Sequence, residues 1–308
     1  HRDCPITTLN LSSNPSAEVA FTVLLSSLSL NASIRCLNLS SNPFGNAPRA
    51  MECLARSLST SMSSSISTSM SSLMSKTSLS ESGMPQLRDL NVSSCCLGNH
   101  KKNCLALASI LRHARRLEIL DVSNNELTNC DATNIASGLS DRFDSGKSFL
   151  GLRRLHVSRN KIGHYGLSTL GAACSKKNST IETLDLSHNP LGTSGASFLS
   201  EVMKNTTTLR TLIVDQCQLG TRLSTDDGDA KGDLTRRSGS VVSKIGPKKA
   251  AVNSISATTS RNNLPRTDAH GMFDVVSALG YSTSVTALSV AGNWCGDDVQ
   301  GMVRCSRV

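Results

Sequence analysis

The feature that most constrains this chain is a frame of apolar residues, L-x-x-L-x-L-x-x-N-x-L, that is written eight times. Its clearest copy is Ile181 to Leu191, IETLDLSHNPL, with Ile181, Leu184, Leu186, Asn189 and Leu191 in register. The copies begin at Ile6, Ile34, Leu87, Leu117, Leu152, Ile181, Leu209 and Val285, at offsets of 28, 53, 30, 35, 29, 28 and 76 residues. Four offsets sit near one 28-residue unit, 35 is one unit with a longer loop, and 53 and 76 are one unit plus an insertion. The 308 residues therefore read as a single solenoid of about eight repeats.

The residue types follow from the stacking. Alternating apolar positions leave a short strand on one side, so Leu184 and Leu186 face inward while Asp185 faces out. One unit cannot bury that face alone, so neighbours must stack into a continuous core. The chain turns after each strand and leaves buried backbone groups that need partners. Asn14, Asn42, Asn125, Asn160, Asn189 and Asn293 can donate and accept there, with Cys95 and Cys217 replacing Asn in two copies. The second half of each unit reads as a helix. Apolar faces are expected at Ala17, Ala20, Phe21 and Leu24; at Ala50, Cys53 and Leu54; at Leu167, Leu170 and Cys174; at Ala196, Leu199, Val202 and Met203; and at Met272, Val275, Val276 and Leu279. Gly98, Gly163, Gly192, Gly220 and Gly296 follow the last apolar position and are expected in turns that other residues enter with strain.

Units of this length with L-G-x-x-G before a full helix, as in Leu191-Gly192-Thr193-Ser194-Gly195 and Ile162-Gly163-His164-Tyr165-Gly166, resemble the ribonuclease-inhibitor-like class of leucine-rich repeats. That class includes ribonuclease inhibitor, Ran GTPase-activating protein, the sensor arms of NOD-like receptors, tropomodulin and CARMIL-type actin regulators. The resemblance implies an α/β fold: a curved right-handed solenoid with parallel strands on the concave side and helices on the convex side. It also implies a non-enzymatic scaffold that binds another protein on its concave face. The alternative it implies is a regulator of a small GTPase or of actin assembly. An innate-sensor arm is a third reading, without a nucleotide-binding domain to support it.

Composition narrows the partner. The formal charge of +9 invites a nucleic-acid reading. However, residues 221–268 hold nine Lys/Arg against five Asp, and the remaining excess is spread over the repeats without aromatic interleaving. Nucleic acid is therefore not the expected partner, and no cofactor is implied. The eleven cysteines show no C-x-x-C pair and read as structural thiols in a reducing, cytoplasmic compartment. Triplets such as Asn38-Leu39-Ser40 are by-products of the strand pattern. No apolar run is long enough to span a membrane. The chain starts at His1, and its last unit stops inside an expected helix without an evident polar cap, so further repeats or domains are expected.

Two stretches interrupt the repeats. Residues 59–85 form a Ser/Met-rich insertion, expected as a loop that could extend the preceding helix or dock on the solenoid. Residues 221–268 form a basic low-complexity insertion, expected to be disordered, in which Arg236-Arg237-Ser238-Gly239-Ser240 suits a basic-directed kinase. Catalytic motifs fail on inspection. His1-Arg2-Asp3 lacks the Asn of a kinase loop, Asp227 to Gly232 lacks the rest of a calcium loop, and no phosphate-binding glycine loop occurs.

The informative surface is the row of residues between the two central apolar positions: Asn10, Asn38, Asn91, Asp121, His156, Asp185, Ile213 and Ser289. Parallel stacking sets neighbours about 4.8 Å apart. His156 is expected between Asp121 and Asp185, with Arg154, Arg159 and His188 close by. Two readings are open. These six residues form a recognition patch in which Arg154 and Arg159 meet a partner's acidic or polar groups, or they form a self-satisfied ladder with His156 shared between two carboxylates. An Asp-His-Asp metal site is disfavoured, because side chains spreading from a flat sheet rarely enclose an ion.

Overall fold

The structure is a computed structural model that describes residues 5–15, 17–28, 31, 33–58, 86–144, 151–220 and 270–293. The two insertions, and the kinase-type and glycine motifs within 221–268 and after 293, lie outside these residues. Among the described residues eight strands alternate with seven helices: β1 (Thr8–Asn10), α1 (Glu18–Leu28), β2 (Cys36–Asn38), α2 (Pro48–Leu58), β3 (Asp89–Asn91), α3 (Lys101–His113), β4 (Ile119–Asp121), α4 (Asn129–Asp144), β5 (Arg154–His156), α5 (His164–Cys174), β6 (Thr183–Asp185), α6 (Gly192–Asn205), β7 (Thr211–Ile213), α7 (His270–Leu279) and β8 (Ala287–Ser289). The strands form one open, parallel sheet in chain order, and each helix packs on the next. This is an α/β repeat solenoid, as the frame predicts.

Each strand is only three residues long because its single inward residue is the frame's central Leu. Leu37, Leu90, Leu120, Leu155, Leu184 and Leu212 are buried and stand in register from strand to strand. They share one continuous core with the helix faces. The expected faces of α5, α6 and α7 are buried apart from Leu279, which is partly covered. Two expectations need correction. On α1 the buried pair is Phe21 and Leu25, four residues apart on the stripe that meets the second repeat, where the ring centroids of Phe21 and Phe44, in the turn before α2, are 4.7 Å apart. Ala17 and Ala20 lie off that stripe and are exposed, and Leu24 and Cys53 are half-buried.

The Asn positions form the ladder that holds the turns. Asn125 donates through Nδ2 to the carbonyls of Val92 (2.8 Å) and Val122 (3.0 Å), and its Oδ1 accepts from the amides of Cys95 (2.8 Å) and Leu97 (3.3 Å). Asn160 repeats the pattern onto Asn125 and Leu127, and Asn189 accepts from Ile162. A cysteine rung supplies a thiol donor, Cys95 to Leu39 O and Cys217 to Leu186 O, both at 3.3 Å, but no comparable acceptor. The preceding turns close differently to compensate. Phe44 donates to Asn42 O and Leu191 to Asn189 O, each at 2.8 Å, across Pro43 and Pro190. Pro43, at φ −78° and ψ 50°, sits in an inverse γ-turn that the fixed proline φ favours.

The turn glycines divide by cause. Gly192 takes a left-handed backbone, φ +67°. Gly163 does not, at φ −96°. Gly98 is demanded by proximity, since a Cβ there would sit 2.4 Å from Glu126 O. The eight described cysteines are all free, and burial pushes the thiols of Cys95 up to about 11 and of Cys174 and Cys217 up to about 12. Such thiols stay protonated and inert at neutral pH.

Candidate functional site

Two positions on each strand face away from the core, so the sheet carries two rows of outward side chains. One runs Thr8, Cys36, Asp89, Ile119, Arg154, Thr183, Thr211, Ala287; the other runs Asn10, Asn38, Asn91, Asp121, His156, Asp185, Ile213, Ser289. His156 thus has Asp121 on one side and Asp185 on the other. Arg154 stands between Ile119 and Thr183.

The second row is tied to the turns. Oδ1 of Asn10, Asn38, Asn91, Asp121 and Asp185 accepts the amide of the serine two residues on, at 2.9–3.0 Å. These are Asx-turns, which Asn and Asp make equally well. At β5 the position holds His156, whose Nδ1 lies 3.7 Å from Asp185 Oδ2. At that distance the contact is an ion pair when the ring is protonated, too long for a hydrogen bond. Asp185 Oδ1 also accepts the Ser187 hydroxyl at 2.7 Å.

The charges are unevenly satisfied. Asp185 raises the pKa of His156, against burial, with Asp121 adding to the rise and Arg154 opposing it. Burial alone would raise the Asp185 carboxyl, but His156 and the Ser187 donors outweigh it and hold it below the usual range. Asp89 is raised, first by burial and then by the Asp121 charge, against His156 and Arg154. Among the described residues no ion pair within 4.0 Å joins Asp89, Asp121 or Arg154 to any partner. In the neighbouring row at the N-terminal rim, Arg88 pairs with Glu118 at 3.0 Å and Arg153 with Glu182 at 3.2 Å, while Arg35 and Arg210 make no ion pair among the described residues.

Arg159 and His188 sit one step further, in the turns, and no bond among the described residues joins them to His156. Both are left-handed, φ 54° and 57°, at a position where the other repeats place Ser13, Ser41, Ser94, Asn124, Gln216 and Gly292. A long side chain is strained there, whereas Asn or Gly is at ease. The structure therefore brings Asp121, Arg154, His156 and Asp185 onto one face, and sets Arg159 and His188 at its rim. It adds Asp89, which the frame places in the same outward row as Arg154, two strands away. Among the described residues no three His, Cys, Asp or Glu side chains converge on a metal position. No described helix is long and apolar enough to cross a membrane.

A family model described as Leucine Rich repeat matches residues 30–47 and 177–200, which are the second and sixth frames with their flanks. A search of curated proteins finds no match to the chain.

Proposed function

The chain carries leucine-rich repeats, and we propose that it is a non-enzymatic scaffold that binds another protein through the strand face of its fourth to sixth repeats. Repeats of this kind expose long, open surfaces suited to protein contacts. The observation that supports the location is Arg154, which makes no ion pair among the described residues although Asp121 and Asp89 stand on the two strands before it. Free, buried thiols fit a cytoplasmic setting.

The test is quantitative affinity capture from cell extract, comparing the parent with a variant carrying Arg154→Glu, His156→Ala and Arg159→Glu. Circular dichroism first establishes that both are folded. The reading expects at least one captured protein to fall by about ten-fold or more, the scale of 1.4 kcal/mol. An unchanged set overturns it and favours the self-satisfied ladder. A captured GTPase or actin-associated protein would support the regulatory reading that the resemblance raises.

A further inference from the structure

We propose that the strand face receives a basic side chain of its protein partner between Asp89 and Asp121, over Ile119, with an acidic group of the same partner on Arg154. This rests on the strand face being the partner surface and adds the chemistry of what it recognises.

The fold asks for no charge at these positions. Where Asp121 stands, three other repeats carry Asn10, Asn38 and Asn91, and each makes the same turn bond through Oδ1. An amide is sufficient for the turn, so the charge of Asp121 is surplus to folding. In Asp89's row the other described repeats place uncharged Thr8, Cys36, Ile119, Thr183, Thr211 and Ala287, with Arg154 as the exception. Asp89 and Asp121 lie diagonally on adjacent strands of one face, because Asp89 pairs with Ile119 and Asp121 with Asn91. Like charges set this close oppose folding, and half-burial adds to the opposition.

The two cations within reach leave this pair uncovered. His156 spends its contact on Asp185, and Arg154 stands on β5, beyond Ile119, without an ion pair among the described residues. The surface therefore offers two carboxylates, a half-buried apolar side chain and a guanidinium, in that order across β3 to β5. Its complement is a cation, an apolar group and an anion borne by one partner. A phosphate backbone would meet the two carboxylates unfavourably, and among the described residues no third ligand converges to hold a metal. A protein side chain fits best.

The test pans a displayed library of 12-residue peptides on the parent and measures recovery on two variants. One carries Asp89→Asn and Asp121→Asn; the other carries Arg154→Glu, His156→Ala and Arg159→Glu. The inference expects parent-selected peptides to hold Lys or Arg beside an apolar residue, with recovery lower by about ten-fold on the Asn pair. Peptides lost on the second variant but retained on the Asn pair keep the strand-face reading and overturn the cation. Peptides recovered equally on all three overturn both, and a selection without basic residues overturns the inference. Thermal melts supply the second measurement. Asp89→Asn is expected to raise the melting temperature at pH 7 and to leave it unchanged at pH 3, where the carboxyl is already neutral. No gain at pH 7 removes the uncovered pair on which the inference stands.

Discussion

At the residue scale, the ladder side chains carry stability and the row beside them carries the titrating charge. Asn125 satisfies two buried carbonyls and two buried amides at once. Asn125→Ala should therefore cost on the order of 3–5 kcal/mol, since each abandoned buried group costs about 1–3, read from urea unfolding. Cys95→Ala, which loses only a weak thiol donor, should cost clearly less, and equal losses would contradict the ladder account. His156 and Asp185 give a signed pH dependence. The His156 pKa is raised in the fold, so its contribution is fully present below about 6.5 and is lost as pH rises through the folded value. The melting-temperature gap between parent and His156→Ala should be wider at pH 5.5 than at pH 8.5. Asp185→Asn should bring the His156 titration, followed by NMR, to lower pH. A gap independent of pH would contradict the pairing. The sequence predicted the neighbours of His156 because a period-two frame repeated in register fixes who stands beside whom. It did not reveal Asp89, which occupies the other outward position, nor the left-handed state of Arg159, which an arginine does not encode.

At the element scale, several repeats finish the helix before them. Arg142, on α4 and 2% exposed, donates to the carbonyls of Leu111, Ala114 and Leu117 at the end of α3, at 3.2, 2.6 and 2.9 Å. Ser57 reaches Leu25 O on α1 at 3.1 Å, and Ser284 reaches Thr206 O behind α6 at 2.9 Å. Open carbonyls at a helix C-terminus attract positive charge, so a guanidinium fork suits this place. Burial lowers the Arg142 pKa only to about 10, which keeps it charged at neutral pH. Arg142→Met should destabilise by roughly 3 kcal/mol or more, as three buried carbonyls lose a charged donor. Arg142→Lys should recover only part, because one ammonium cannot match the fork. A loss below about 1 kcal/mol for Arg142→Met would contradict the capping role. None of this was legible in the chain, where Arg142 lies 25 to 31 residues from its acceptors. Helix existence was legible, and so were the faces of α2, α5, α6 and α7, which follow an apolar stripe, apart from Cys53 and Leu279; α3 and α4 were given no face, and α1 was misjudged by the choice of stripe.

At the scale of the whole molecule, stacking converts one repeated frame into a single core and a single open face. The core needed only the period and the residue types, both of which the chain states eight times. The open face needed registration across strands, and its charge balance emerges only when both outward rows are laid side by side. The rim row holds the pairs Arg88–Glu118 and Arg153–Glu182, while Asp89, Asp121 and Arg154 make no ion pair among the described residues and are, on our proposal, the groups a partner meets. The most direct measurement of that claim is site-specific photo-crosslinking in cell extract. A photoreactive residue would replace Thr183, beside Arg154 on the strand face, or Ala172, exposed on α5. A discrete crosslinked protein is expected from position 183, absent from position 172 and suppressed by Arg154→Glu. Crosslinks confined to position 172, or indifferent to Arg154→Glu, would contradict that claim.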